Sequence, residues 1–320
     1  MEGKTSVKRA VLILVVSAAL AAGIRAGQDP AERTDTLEES IAALAGTFGG
    51  RIGVAARDLK TGRTILVDAD SLFPTASVIK LPVLVALFDK FRTGALHPDD
   101  TVSLTDSLKY GGSGVLQFFS GDAKLKLIDA AMLMIVLSDN TATNLVIDTF
   151  APEHDARLAA VNSLMERFGL KHTHLLNKVM SWKTKKKTPE SIRYGIGVST
   201  PADMLLLLER ITAGTAVDSA SSRQMFDIMK NQQDVTMAAR MLPYERMKEG
   251  EQIVVANKTG WVSETKVDVG IVSSPATRYA YAIFADNSTD TSETVDNRAV
   301  LAVARASRII YDAFTQRDSR

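Results

Sequence analysis

The 320-residue sequence contains no cysteine. That excludes a disulfide framework and any thiolate metal site. Histidine is scarce, with only His97, His154, His172 and His174. His172-Thr173-His174 is a fragment of a metal site at most, and H-E-x-x-H is absent, so neither a metal nor a cofactor is expected. The chain also lacks a G-x-x-x-x-G-K-[ST] phosphate loop and a G-x-S-x-G elbow. Charge of one sign is lacking too. The formal net charge is +1, which gives no electrostatic reason to expect nucleic acid as a partner. Long apolar runs are absent except near the N-terminus. There the uncharged stretch 10–24 follows Lys4, Lys8 and Arg9 and is too short to span a bilayer comfortably. With small residues at Ala19 and Ala21 it has the layout of a secretory signal peptide, read over residues 1–26, the alternative being an uncleaved anchor. Export to the periplasm or outside the cell is expected, with no stable membrane span after cleavage and no lipid anchor.

What is present is ample apolar content: 46% of residues are hydrophobic, enough for a large core. Thr36 and Glu39 have capping-box spacing ahead of an apolar stripe at Leu37, Ile41, Leu44 and Phe48. Strands are predicted over Arg51–Arg57 and Arg63–Asp68, joined by the turn Asp58-Leu59-Lys60-Thr61-Gly62. The middle of the chain reads as helices: from about Phe73 through Phe88 with a kink at Pro82, then 125–137, 141–150, 201–211 and 221–230. Strands return at 252–256, 266–273 and 278–285. A last helix aligns Val300, Val303, Ser307, Ile310 and Phe314. The expected fold class is α/β (α+β): an antiparallel sheet flanked by N- and C-terminal helices, with an all-helical domain inserted. The sheet part is assigned to residues 33–70 and 224–320, the helical part to 71–223.

Lys80 is the only charged residue between Asp70 and Asp89. Such a lysine is costly to bury unless paired or neutral, and desolvation makes it a usable base. Ser77, three residues earlier, shares its face and would be activated by it. Taken alone the pair is better read as a snorkelling lysine and an ordinary first-turn serine, because S-x-x-K is a frequent tetrapeptide. Two further triplets change that weighting. Ser138-Asp139-Asn140 follows a buried helix, where it could be no more than a cap. Lys258-Thr259-Gly260 follows an apolar strand, where it could be no more than a turn. In the order S-x-x-K, S-D-N, K-T-G, the three form the signature of class A β-lactamases and penicillin-binding proteins.

From about Leu37 to Phe314 the chain resembles the class A β-lactamase-type serine hydrolases. The closest matches lie in Phe73-Pro74-Thr75-Ala76-Ser77-Val78-Ile79-Lys80 and in the eight residues from Ser138 to Leu145. The resemblance implies a split fold with the site between its parts. It implies that Ser77 attacks a β-lactam carbonyl, that Lys80 helps take its proton, and that Ser138 relays a proton to the departing nitrogen. Asn140 would bind the acylamino chain of the substrate. Lys258 and Thr259 would bind its carboxylate, and Gly260 would let the strand edge approach the substrate. The N–H groups of Ser77 and Trp261 would form the oxyanion hole, with the Trp261 ring either walling the site or packing elsewhere. Tyr110, in a glycine-rich turn, is read as a packed tyrosine rather than a gate.

One part of the family pattern is missing. Class A enzymes use a loop glutamate for deacylation. Here it would follow Asn177 shortly, but the chain reads Lys178-Val179-Met180-Ser181. Glu190 is the only carboxylate between Phe168 and Ala202. Either a rearranged loop delivers it to the site, or, the favoured reading, it is a solvated loop residue like the lysines at 183, 185, 186 and 187, and deacylation uses Lys80 or is slow. The expectation is a monomeric hydrolase of small-molecule β-lactams working through an acyl-enzyme on Ser77. The alternatives are a peptidase or esterase acting on cell-wall peptide-like substrates, and a β-lactam-binding protein that acylates but releases slowly.

Overall fold

The capping box predicted at Thr36 forms in full: Thr36 Oγ1 accepts from Glu39 N–H and Glu39 accepts from Thr36 N–H. The structure is a computed structural model that describes residues 36–316. The signal-peptide reading of residues 1–26 therefore lies outside the described residues. The apolar stripe behind the cap is split, with α1 (Leu37–Ala42) and α2 (Ala45–Phe48) meeting at a bend, and Ile41 and Phe48 buried. β1 (Arg51–Asp58) and β2 (Thr64–Val67) form the expected hairpin. Asp58 Oδ1 accepts the N–H groups of Lys60 and Thr61, and Gly62 takes a positive φ.

The next segment corrects the predicted continuous helix from Phe73. A short strand β3 (Phe73–Pro74) leads into a 3-10 turn (Ala76–Ile79), and only then does α3 (Lys80–Thr93) begin. Pro82 lies in the first turn of α3, where no intrahelical N–H is required, so it is accommodated rather than kinking the helix. Every residue from Lys80 to Phe88 is buried, as befits a helix enclosed on all sides. β4 (Thr101–Ser103) pairs with β5 (Lys124–Lys126), and α4 (Leu127–Val136) and α5 (Asn140–Asp148) follow. α6 (His154–Arg167) was missed in the sequence, although Leu158, Val161, Leu164 and Met165 are its buried face. Then come β6 (His174–Leu175), α7 (Pro189–Tyr194), β7 (Gly197–Ser199), α8 (Pro201–Ala213) and α9 (Ser219–Met229).

β8 (Val254–Val262), β9 (Thr265–Ser273), β10 (Arg278–Asp286) and α10 (Arg298–Thr315) complete the chain. The main sheet is antiparallel in the order β2-β1-β10-β9-β8, so strands from both ends of the sequence are neighbours and β8 is an edge. Its two faces feed two cores through the period-2 alternation of strands. Along β10, Ala280, Ala282 and Phe284 join the core that includes α3, α4, α5 and α8. Tyr279, Tyr281, Ile283 and Ala285 join the core formed with α1, α2 and α10. This is the sheet-and-helix architecture expected from the sequence.

Candidate active site

Ser77 is placed by a local backbone conflict. Thr75 N–H is anchored to Gly197 O at 3.0 Å. Ala76 then adopts φ +43°, a left-handed conformation that costs a residue with a Cβ about 1–2 kcal/mol. The 3-10 turn that follows carries Ser77. Ser77 precedes Lys80 by three residues at the junction of this turn with α3, but no hydrogen bond joins the Ser77 hydroxyl to Lys80 Nζ, whose partners are Ser138 and Asn140.

Lys80 is fully buried and its ammonium is fully engaged. It donates to Ser138 O at 2.6 Å, to Asn140 Oδ1 at 2.8 Å and to Ser138 Oγ at 3.2 Å. Burial holds its pKa well below the ordinary lysine value. The nearby charge of Lys258 acts in the same direction, and Asp139 opposes it. Ser138, at φ +53°, presents its hydroxyl to a second buried lysine: Lys258 Nζ donates to Ser138 Oγ at 3.0 Å and to Thr259 O at 2.6 Å. That leaves one N–H of Lys258 without a partner among the described residues. Burial lowers the Lys258 pKa to about 8, against the opposing influence of Asp234 and Asp268. The Ser138 hydroxyl thus joins two lysines whose neutral forms are accessible, a built path for a proton.

Lys258-Thr259-Gly260 is not the strand-end turn that the sequence left open. It lies in mid-strand within β8, directly against the Ser77 turn. A Cβ on Gly260 would meet Thr75 O at 2.8 Å and the backbone nitrogens of Ser77 and Val78 at 3.1 Å. One close approach that requires glycine here is to the protein's own Ser77 turn. Trp261 lines the site cleft and also packs on the core shared with α10, and Lys266 Nζ lies 4.9 Å from its ring centre.

Asp139 is structural. Its carboxylate caps α5 through Ala142 N–H and takes the N–H groups of Val115 and Leu116. Asn140 is committed inside the protein: Oδ1 accepts from Lys80, and Nδ2 donates to Gly111 O at 2.8 Å. These two bonds make Asn140 a clamp on Lys80, and the second N–H of Nδ2 has no partner among the described residues. Tyr110 is half-buried, with its backbone on Thr141 and Lys178 Nζ 5.6 Å from its ring centre.

The loop after β6 is held from within. Asn144, one helical turn beyond Asn140, both donates to Val179 O (2.7 Å) and accepts from Val179 N–H (2.9 Å). Asn177 donates to Ser191 Oγ and Gly195 O and accepts from Lys186 N–H, closing the neck of the loop. Lys178 is buried on Asp148, with two contacts of 2.7 Å. Glu190 stands in the first turn of α7, about half exposed, 4.0 Å from His174 Nδ1 and outside the cleft lining. No cluster of histidine and acidic side chains among the described residues has the arrangement of a metal site.

The cleft has a volume of about 310 Å³ and is lined by Ser77, Ser113, Ser138, Thr259 and Trp261, with the Val136–Leu137 and Gln232–Asp234 stretches. Gln232, Gln233 and Asp234 belong to no motif, and nothing in the sequence flagged them. Beneath lies a buried polar group, also unflagged. The Asp268 carboxylate accepts from Asn257 Nδ2, Ala238 N–H and Tyr281 OH, and burial raises its pKa to about 7.

The sequence model of the Beta-lactamase enzyme family matches residues 36–314. Beta-lactamase L2 of Stenotrophomonas maltophilia is 26% identical over 215 residues, which is 65% of this chain and 65% of that protein, so the match spans less than two thirds of the relative. The crystal structure of a beta-lactamase from Sphaerobacter thermophilus superposes with a TM-score of 0.75 at 28% identity, covering 87% of this chain and 96% of that one. A mutant of PBP-A, solved as an acyl-enzyme complex with penicillin G, gives a TM-score of 0.71 at 25% identity, covering 87% and 96%.

Proposed function

The chain belongs to the Beta-lactamase enzyme family, and we propose that it opens β-lactam rings through an acyl-enzyme on Ser77. The observation that carries this reading is the Ser138 hydroxyl held between the buried amines of Lys80 and Lys258 beside the Ser77 turn. In this scheme neutral Lys80 takes the Ser77 proton as Oγ attacks the lactam carbonyl. The developing oxyanion lies on the N–H groups of Ser77 and Trp261. As the C–N bond breaks, the proton passes from Lys80 through Ser138 to the ring nitrogen, and Lys80 is neutral again. The free N–H of Lys258, with the Thr259 hydroxyl, receives the substrate carboxylate.

Water then attacks the ester, and Lys80, with Ser138, is the base within reach. Glu190 stands outside the cleft lining, and the stretch from Lys178 to Ser181 offers no carboxylate. That same deficit favours a second reading, a β-lactam-binding protein that stays acylated. The protein is proposed to act as an exported monomer, in the periplasm or outside the cell. Among the described residues no helix is long and apolar enough to cross a membrane.

The test follows the colour of a chromogenic cephalosporin and the intact mass together. Sustained turnover with a transient adduct is the expected result. A single burst with a persistent adduct establishes the binder instead. Neither colour nor adduct overturns both readings and leaves a peptidase or esterase. Ser77→Ala loses the adduct, and Glu190→Gln leaves both steps unchanged.

A further inference from the structure

Asp234 lines the same cleft as Ser77, Ser138, Thr259 and Trp261. Its place there is fixed locally: Oδ1 accepts from Thr236 N–H at 3.0 Å and from Thr236 Oγ1 at 2.6 Å, and Asp234 N–H donates to Gln232 Oε1. The other carboxylate oxygen has no hydrogen-bond partner among the described residues, and the residue is only half-buried. No arginine lines the cleft, and the remaining lining side chains are hydroxyls, glutamine amides, Val136, Leu137 and the Trp261 ring. Lys258 is fully buried behind that lining and touches it through its hydrogen bond to Ser138 Oγ, so its positive charge lies behind one wall of the cleft while the Asp234 carboxylate lines it with the opposite charge. The field of Asp234 is felt at Lys258, where it favours the ammonium.

A substrate carrying a lone carboxylate gains the attraction of Lys258 there but meets the repulsion of Asp234. A substrate carrying a cation a few bonds from that carboxylate matches both charges. We infer that Asp234 is a specificity-determining residue that selects zwitterionic substrates, those with a positive group beside the carboxylate that Lys258 and Thr259 receive. The inference rests on the β-lactam reading above and names the substrate class of the same site. It adds no contact at the scissile bond, so its effect falls on relative kcat/KM between substrates rather than on the chemistry of Ser77.

The experiment uses two cephalosporins with the same 7-acylamino chain. One carries a neutral acetoxymethyl group at C3, the other a pyridiniomethyl group, next to the C4 carboxylate. The acylation rate of Ser77 by each is read from intact mass, in the wild-type protein and in Asp234→Asn. Asparagine keeps the oxygen that Thr236 binds, and matched thermal melts check the fold. The expected result is a preference for the pyridinium compound that Asp234→Asn lowers about tenfold, the size of one partly screened charge interaction across a cleft. The neutral-C3 compound should be acylated a few-fold faster by the variant, and the wild-type preference should shrink as salt is raised. An adduct with both compounds whose ratio Asp234→Asn leaves unchanged within twofold overturns the inference alone. The absence of any adduct overturns the β-lactam reading, and the inference with it.

Discussion

Lys80 and Lys258 need opposite protonation states for the proposed chemistry, whereas burial lowers the pKa of both. Lys80 must be neutral to accept the Ser77 proton, and burial together with Lys258 lowers its pKa. Lys258 must be charged to hold a carboxylate, and its pKa is lowered to about 8. The sign of each limb follows. Below the depressed pKa of Lys80 the base is protonated, so kcat/KM rises with pH through it. Above about 8 Lys258 loses its charge, so kcat/KM falls again. The profile should be a bell with its alkaline limb near pH 8. Because the lysines share Ser138 Oγ, the two limbs belong to the pair. Lys258→Arg, whose guanidinium does not titrate in this range, should abolish the alkaline limb and leave the acidic limb in place. A pH–rate profile over pH 5–10, the useful window for these two groups, checks this, and an alkaline limb that survives in Lys258→Arg removes Lys258 from it. The stability contribution runs one way for both groups. The unfolded chain binds more protons between the folded pKa of each lysine and its ordinary value, so the stability cost of burying them is relieved as pH rises through that window.

At the scale of elements, the site depends on how closely β8 lies against the 3-10 turn of Ser77. An alanine at 260 meets main-chain atoms, which cannot rotate away, so β8 and the turn must separate. Gly260→Ala should cost about 1–3 kcal/mol in stability as an overpacked contact. It should slow acylation of Ser77 by about a hundredfold, the effect of a displacement of about 1 Å at a reacting group. A thermal melt and the time course of adduct mass test the two parts, and normal acylation by a well-folded variant would show that the contact is dispensable. This contact was not legible in the sequence. The predicted strand stopped at Ala256 because Lys258, Thr259 and Gly260 interrupt the apolar pattern, whereas the observed strand runs on to Val262 by pairing with β9. The β1–β2 hairpin was legible because its turn residues form their own hydrogen bonds. The order of Ser77, Lys80, Ser138 and Lys258 was legible because each triplet carries its chemistry locally. The internal bonding of Asn140, the hold of Asn144 on Val179 and the presence of Asp234 in the cleft arise only from tertiary placement, which no local pattern records.

At the scale of the whole molecule, the candidate site joins distant parts of the sequence. Ser138 meets Lys258 across 120 residues, one side chain offered from the turn before α5 and the other from the edge of the sheet. The division proposed from the sequence, a sheet part of residues 33–70 and 224–320 and a helical part of 71–223, bears on stability as well as on the site. The sheet part has one core of its own, against α10, but the helical part shares its core with the other face of the sheet. Phe73, Leu84 and Leu207 from the helical part share one cluster with Ala55, Val267 and Phe284 from the sheet, and α8 packs directly on β1 and β10. Removing the sheet would expose fully buried side chains such as Leu207 and Leu208 on α8, each worth about 1.5–3 kcal/mol of burial. A few such losses equal the whole stability of a typical domain, about 5–15 kcal/mol. The helical segment should therefore not fold when expressed alone. Calorimetric unfolding of the chain should give one transition, with near-ultraviolet and far-ultraviolet circular dichroism changing together. Two resolved transitions, or a protease-resistant fragment spanning 71–223, would mean that the helices hold themselves together. In that case the alignment of Ser138 with Lys258 would depend on docking between preformed parts rather than on the folding of one shared core.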